Sequence, residues 1–576
     1  MVSVDAGPLV LPSGDDPLPA GAVEVVGGPP GRHARLGDRR FWTPLRWIVL
    51  LTLAVSALGF WQKAPCRVHD WSEDYQYTRA CYTDVFALYY AEQLNTDTPY
   101  LEHPVEYPVL IGVAMGAVAA VSDPVAGLFP GGRVAAAEDA LADAQAAGDP
   151  ARADAARSAV VAAEANSRGF RFFDLTWVLL TGFAVVVAVT TARLAGRRPW
   201  DAAMFALSPA LLLHGTTNWD LIAVAFAGLG LLAWARRMPV AAGVLLGLGA
   251  ATKLYPLFFL VPLLALCWRT GQLRAGVRTV VAAGLTGAVL VVPAYLVSPA
   301  FAELTVDGSS QQVEVAASPL SRLADEGLAA LAPHTTVAAD PAVGDGQQVT
   351  GVNAVYRFVD LNRTRPADWD SIPYALSQLQ PELGSGGLEG LFGDAIGRLL
   401  QDDGDGPAVL NLVTFGLGFV VVPLAVVALA VRAPRRPRLP QLLLLAVIGF
   451  LLTSKVYSPQ YVLWLVPLVI LARPRWRLFG VWMATEAVLL FARFYFFVGQ
   501  PPGEDGEGID VWWFVSAVLV RDAVLVVIAA LVVRDVLRPE FDVVRTDGVD
   551  DPAGGLLDGA EDRVRDRAIP DRALVG

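Results

Sequence analysis

A lone carboxylate, Asp84, opens a short aromatic pattern within residues 81–108, which read CYTDVFALYYAEQLNTDTPYLEHPVEYP. The stretch ends in Glu106-Tyr107-Pro108, at the edge of an apolar run. A carboxylate held beside an apolar access route suits general-base chemistry, taking a proton from an acceptor hydroxyl while a lipid-carried donor approaches. Asp84 follows Thr83 and also suits a helix cap, and the two roles are compatible. Three further segments carry polar groups between apolar runs: His214-Gly-Thr-Thr-Asn218-Trp219-Asp220, Thr252-Lys253-Leu254-Tyr255-Pro256, and Ser454-Lys455-Val456-Tyr457-Ser458-Pro459-Gln460-Tyr461. The chain has only one other lysine, Lys63. Lys253 and Lys455 could hold a lipid-linked phosphate as ammonium point charges, or snorkel from helix ends. Asp220 could pair with a lysine or, like Asn218 and Gln460, touch a sugar. Tyr107, Tyr255, Tyr461 and Trp464 offer ring faces for sugar stacking or serve as interfacial aromatics.

These groups need a membrane scaffold, and composition supplies one. The 576 residues are 54% hydrophobic and 17% charged, with a mean hydropathy of +0.47. That is the signature of a polytopic, all-α membrane protein. Spans are expected near 44–61, 173–193, 200–216, 219–235, 239–253, 256–268, 277–297, 408–431, 439–453, 457–472, 478–497 and 512–533, twelve crossings in all. Arginine clusters at 32–46, 193–198, 236–237, 269–278, 432–438, 473–477 and 534–538 mark the cytoplasmic side. Residues 298–406 carry 16 acidic against 5 basic residues and are expected outside. Both termini then lie in the cytoplasm of a multi-pass plasma-membrane protein whose polar rim segments face outward.

The apolar run 109–121 is the odd one out. If it crossed, the arginines at 193–198 would move outside. The charge rule therefore favours a segment lying along, or dipping into, the outer face, the alternative being a true span. Residues 132–166 read as one or two solvated helices broken near Gly148-Asp149-Pro150. The expected organisation is a disordered N-terminus (1–43), a membrane module (44–297) with its first outer loop at 62–171, an outer loop or small domain (298–406), further membrane helices (407–537), and a disordered tail (538–576).

Cys66 and Cys81 fall in the first outer loop. An oxidising outside favours a disulfide there over two free thiols, and closing about 15 residues contributes on the order of 3 kcal/mol. Cys267 is expected to be structural. Asp70, Glu73 and Asp74 form an acidic turn. With no Asp-x-Asp pair, no metal or other cofactor is expected. The basic residues flank membranes, which excludes a nucleic-acid partner.

The pattern D-x-x-x-x-Y-Y-A-x-x-L from Asp84, then Thr98-Pro99-Tyr100, then Glu106-Tyr107-Pro108, resembles the first-loop signature of the C-type glycosyltransferase superfamily. The later AGVLLGLGAATKLYP and SKVYSPQYVLWLVP are similar to glycosyltransferase family 87, the polyprenol-phosphate-mannose-dependent α-mannosyltransferases of actinobacteria. The resemblance covers about 44–300 and 408–500. It implies a helical bundle with surface helices in the first loop. It also implies inverting transfer of a sugar, mannose by family, from a polyprenyl-phosphate donor to a lipid- or glycan-linked acceptor on the outer face. Asp84 matches the catalytic base, and Lys253 and Lys455 lie in the matching motifs. The sequence departs from the pattern in reading Tyr107-Pro108-Val109 rather than Tyr-Pro-Pro, and in the segments 125–170 and 298–406, which fall outside the shared core. A multi-span transporter or a non-catalytic envelope-assembly protein are the alternatives. Convergence of Asp84, Lys253 and Lys455 at one end of the bundle, rather than at its middle, would favour transfer.

Overall fold

The computed structural model describes residues 43–69, 71, 74–128, 132–306, 309–338, 348–379, 387–402, 407–498, 508–546 and 548–564. The helices that frame the site are α1 (Pro44–Gln62), α2 (Asp84–Ala91), α3 (Val109–Ser122), α4 (Gly132–Ala146), α5 (Pro150–Leu194), α6 (Asp220–Ala235), α7 (Pro239–Thr252), α8 (Leu260–Arg269) and α9 (Leu273–Val297). After a small sheet come α10 (Arg357–Thr364), α11 (Ala408–Arg432), α12 (Leu439–Thr453), α13 (Val462–Ala472), α14 (Trp476–Phe497) and α15 (Val511–Leu537).

Among the described residues, six helices are long and apolar enough to cross a membrane: those beginning at Pro44, Pro150, Leu273, Ala408, Trp476 and Val511. Six more apolar helices have 10–17 residues. At 1.5 Å per residue a 14-residue helix such as α7 rises about 21 Å, short of a hydrocarbon core of about 30 Å. Several of the short helices stop where the sequence places its polar rim segments, and the twelve expected spans correspond to long and short members. Residues 200–216, expected as one span, are a turn at Pro199–Ala202 and two short helices, Ala203–Ala206 and Pro209–His214. Pro209 disfavours a helical Ser208, and the Ser208 hydroxyl instead caps the new helix by accepting from Ala210 N.

The run at 109–121 forms α3, a single 14-residue helix packed on α5, α7 and α9. The break expected near Gly148 lies between α4 and α5, where the Asp149 side chain accepts from Arg152 N and Pro150 starts the helix. Helix α5 then runs 45 residues without interruption, so the polar segment and the span after it are one rod.

Residues 300–353 interrupt the helical pattern with strands β1 (Ala300–Val306), β2 (Ser309–Ala316), β3 (His334–Ala338) and β4 (Gln348–Asn353). They form an antiparallel sheet ordered β2-β1-β4-β3.

Helix α7 packs on α9 through Gly243 and Gly247. A Cβ at Gly243 would collide with the Thr279 backbone oxygen, and one at Gly247 would meet Ala283 O. Small residues four apart let two helix backbones approach closely. This pairing fixes the C-terminal end of α7, where Lys253 sits.

The tail expected to be disordered after 538 is folded as far as Glu561–Val564. Asp542 accepts from Arg438 Nε and Nη2, Asp562 from Arg269 Nε and Nη2, and Asp551 from Leu439 N. Trp234 Nε1 donates to Gly554 O, and Leu557 is fully buried. Acidic residues that look solvating in sequence are counter-charges for arginines buried at the helix ends. Residues 565–576 and the N-terminal 1–42 lie outside the described residues.

Candidate active site

Asp84 is the first residue of α2, and its backbone N donates to Thr217 O at 2.8 Å. The helix cap is Thr83, whose hydroxyl accepts from Val85 N and donates to Thr216 O. The Asp84 carboxylate is therefore free of capping duty. Tyr82 OH donates to Oδ1 at 2.6 Å, and Asn218 Nδ2 donates to Oδ2 at 2.7 Å. Residues 82–84 and 216–218 thus interlock through backbone and side chain, which joins the first loop to the start of α6.

From Oδ2 the contacts continue. Asn218 Nδ2 lies 2.7 Å from Tyr107 OH, and Asn218 Oδ1 accepts from Trp219 N. The Tyr107 ring faces the Lys253 ammonium, 4.9 Å from its centroid, and the Tyr461 ring lies 5.6 Å from the same nitrogen. Lys253 Nζ is also 3.9 Å from Asp220 Oδ2, and Asp220 Oδ1 accepts from Trp464 Nε1 at 2.7 Å. Tyr255, Trp464 and Tyr461 form one stack, with centroid separations of 4.6 and 3.9 Å. Tyr255 and Trp464 are buried, so they brace the site from behind.

A cavity of about 80 Å³ is lined by Tyr82, Asp84, Ser458, Gln460 and Arg493, among others. The Asp84 charge first, then burial, hold the Tyr82 phenol well above its usual range. It stays protonated and keeps donating. Burial, then Asp84, does the same for Tyr107.

Two of the sequence candidates stand apart from this cluster. Lys455 Nζ donates to Arg363 O and Arg365 O, closing the C-terminal end of α10. Burial, then Arg365, lowers its pKa to about 8. Glu106 is exposed at the rim, 3.7 Å from Arg365 Nη2. Cys66 and Cys81 are disulfide-bonded, and Trp71 Nε1 donates to Cys81 O. Asp74 starts a short turn of helix, while Asp70 and Glu73 lie outside the described residues.

Sequence reasoning missed three side chains here. Tyr82 was readable as an aromatic two residues before the carboxylate. Lys63 was passed over, yet it is buried and donates to Tyr82 O. Arg493 lies one turn from the end of α14, and nothing local marks it.

An apolar groove of about 490 Å³ runs beside the cluster, lined by Leu110, Val113 and Val118 of α3, Leu175 and Phe183 of α5, and Ile222 of α6. Leu110 follows Tyr107 by three residues and Ile222 follows Asp220 by two, so the groove starts next to the polar groups. The cluster gathers at one end of the bundle: α6 begins at Asp220 and reaches the folded tail only at Trp234.

Residues 168–369 match glycosyltransferase family 87. The match covers a little over a third of the chain and indicates a glycosyltransferase. It takes in Asn218, Asp220, Lys253 and Tyr255, and it runs on through the sheet and α10. The shared region therefore reaches into 298–369, which the motif comparison left outside, and stops short of both the Asp84 loop and the 454–467 motif. No curated protein and no solved structure matches the chain.

Proposed function

We propose that the protein transfers a sugar, mannose by family resemblance, from a polyprenyl-phosphate donor to a hydroxyl of a lipid- or glycan-linked acceptor, with inversion and with Asp84 as general base. The observation that carries this reading is the Asp84 carboxylate, oriented by Tyr82 and Asn218 between a cavity and a lysine. The apolar groove beside α3 suits the donor's isoprenoid chain. Lys253, held by Asp220 and two ring faces, suits the donor phosphate. Asp84 removes the acceptor proton as its oxygen attacks the anomeric carbon. The carbon–oxygen bond to phosphate breaks on the opposite face, and the electron pair leaves with polyprenyl phosphate. Fixed donors near that developing charge stabilise it. By the charge rule, the site faces the outside of the plasma membrane.

General-base assistance contributes about 10²–10⁴-fold. Membranes carrying wild type or Asp84→Asn at matched expression should differ at least a hundredfold in labelled-mannose transfer from polyprenyl-phosphate mannose. Equal transfer by both would remove Asp84 from the mechanism.

A further inference from the structure

The two oxygens of Asp84 face different surroundings. Oδ2 leads through Asn218 and Tyr107 to Lys253. Oδ1 accepts from Tyr82, which lines one cavity together with Asp84 and Arg493. An inverting displacement sets the base and the leaving group on opposite faces of the anomeric carbon, so the space against the base belongs to the acceptor. The cavity has room for roughly five waters, enough for one hydroxyl-bearing edge of a sugar ring. Lys63 sits near Asp84 and donates to Tyr82 O, and the Arg493 guanidinium pairs with the fully buried Asp370. With Arg493 already paired, the Asp84 carboxylate disfavours an anion, whereas Arg493, Gln460 and Ser458 offer donors and acceptors to a neutral polyol.

The guanidinium has two direct partners, one of which is itself held in place. Asp370 binds it, the Phe497 ring lies 5.0 Å from its carbon, and Arg521 Nη2 holds the Asp370 backbone oxygen. A guanidinium has five N–H donors in a rigid fork, so an ion pair along one edge leaves others directed elsewhere.

We propose, building on the transfer reading above, that this cavity is the acceptor subsite, that it takes uncharged sugar hydroxyls, and that Arg493 reads them while Asp370 positions Arg493. Residues 298–406 thereby contribute one side chain, Asp370, to acceptor choice.

The test uses the purified full chain, polyprenyl-phosphate mannose as donor, and two acceptors: a neutral alkyl hexoside and the same hexoside bearing a phosphate monoester. Wild type should prefer the neutral acceptor at least tenfold in kcat/KM. Arg493→Gln should raise the acceptor KM about 10–100-fold, the value of one hydrogen bond from a charged donor, with the donor KM within twofold. Arg493→Lys should recover part of the loss. Asp370→Asn should raise the acceptor KM in the same direction by a smaller factor. A raised donor KM with an unmoved acceptor KM, or a preference for the phosphorylated acceptor, would overturn the assignment. If wild type transfers nothing, the transfer reading fails by itself. Saturation-transfer NMR of the neutral hexoside then decides the subsite: contact with wild type that is lost in Arg493→Gln supports it, and equal contact overturns it.

Discussion

Glu92 offers a pH-dependent test of how the first loop is held. It is 4% exposed, just past the C-terminal end of α2, and its Oε1 accepts from Glu106 N at 3.3 Å. Its Oε2 lies 3.8 Å from His103 Nε2, and His103 is 5% exposed. Burial first, then the Glu106 charge, raises the Glu92 pKa from 4.5 to about 8. Burial lowers that of His103. At neutral pH the contact therefore joins two uncharged groups and is not an ion pair. Because the folded value for Glu92 lies above the unfolded one, its contribution is complete below about pH 4.5 and is lost as pH rises through about 8. His103 acts in the opposite sense, losing its contribution as pH falls below about 6.5. Buried lysines such as Lys455 titrate in the same range with the opposite sign, so the Glu92 effect is read as a difference from a variant that lacks it. Its slope is about 1.4 kcal/mol per pH unit, so between pH 6.5 and 8 the wild type loses about 2 kcal/mol relative to that variant. Glu92→Gln keeps an acceptor for Glu106 N and removes the titration. Thermal unfolding of both proteins at pH 6.5, 7.2 and 8 should show the wild type losing stability relative to the variant as pH rises. Parallel curves would refute the buried, protonated Glu92 on which the reasoning rests.

Three further perturbations probe the site and its supports. Tyr82→Phe leaves the Asp84 carboxylate one donor instead of two. Losing that orienting bond should lower kcat, and an unchanged kcat would contradict the geometry. Replacing Cys66 and Cys81 by Ser opens a 15-residue loop and should cost about 3 kcal/mol, read as a lower Tm that reductant reproduces in the wild type. Gly243→Leu should disrupt the α7–α9 contact by about 1–3 kcal/mol and weaken donor binding through Lys253, whereas Gly284→Leu, in open space on α9, should leave both Tm and donor KM unchanged.

The membrane class, most helix positions and the break at Gly148–Pro150 were legible because hydropathy and proline act locally. The cluster of Asp84, Tyr107, Asn218, Asp220 and Lys253 was legible as a set of polar residues stranded between apolar runs, where an ionisable group is costly. Their joining was not legible, since the Asp84–Asn218 bond spans 134 positions. Lys455 shows the limit of reading a residue by type: an ammonium at a span end can meet a phosphate or backbone carbonyls, and here the carbonyls of Arg363 and Arg365 take it. Arg493 was hidden among apolar neighbours because its partner, Asp370, comes from a distant segment. The broken segment at 200–216 turned on Ser208-Pro209, a local signal that the hydropathy average hid. The tail misled through its composition, as four aspartates look solvated until the arginines they meet are known.

Those aspartates also bear on how the chain is made. Arg269, Arg436 and Arg438 are buried at the helix ends, and their carboxylate partners, Asp542, Asp550, Asp551 and Asp562, follow every membrane helix in the chain and so are made after them. Until then the bundle holds guanidinium groups without counter-ions in a setting of low dielectric. A protein truncated before residue 542 would insert its spans yet leave those positive charges uncompensated. Synthesis of residues 542–562 is thereby coupled to closure of that end of the bundle.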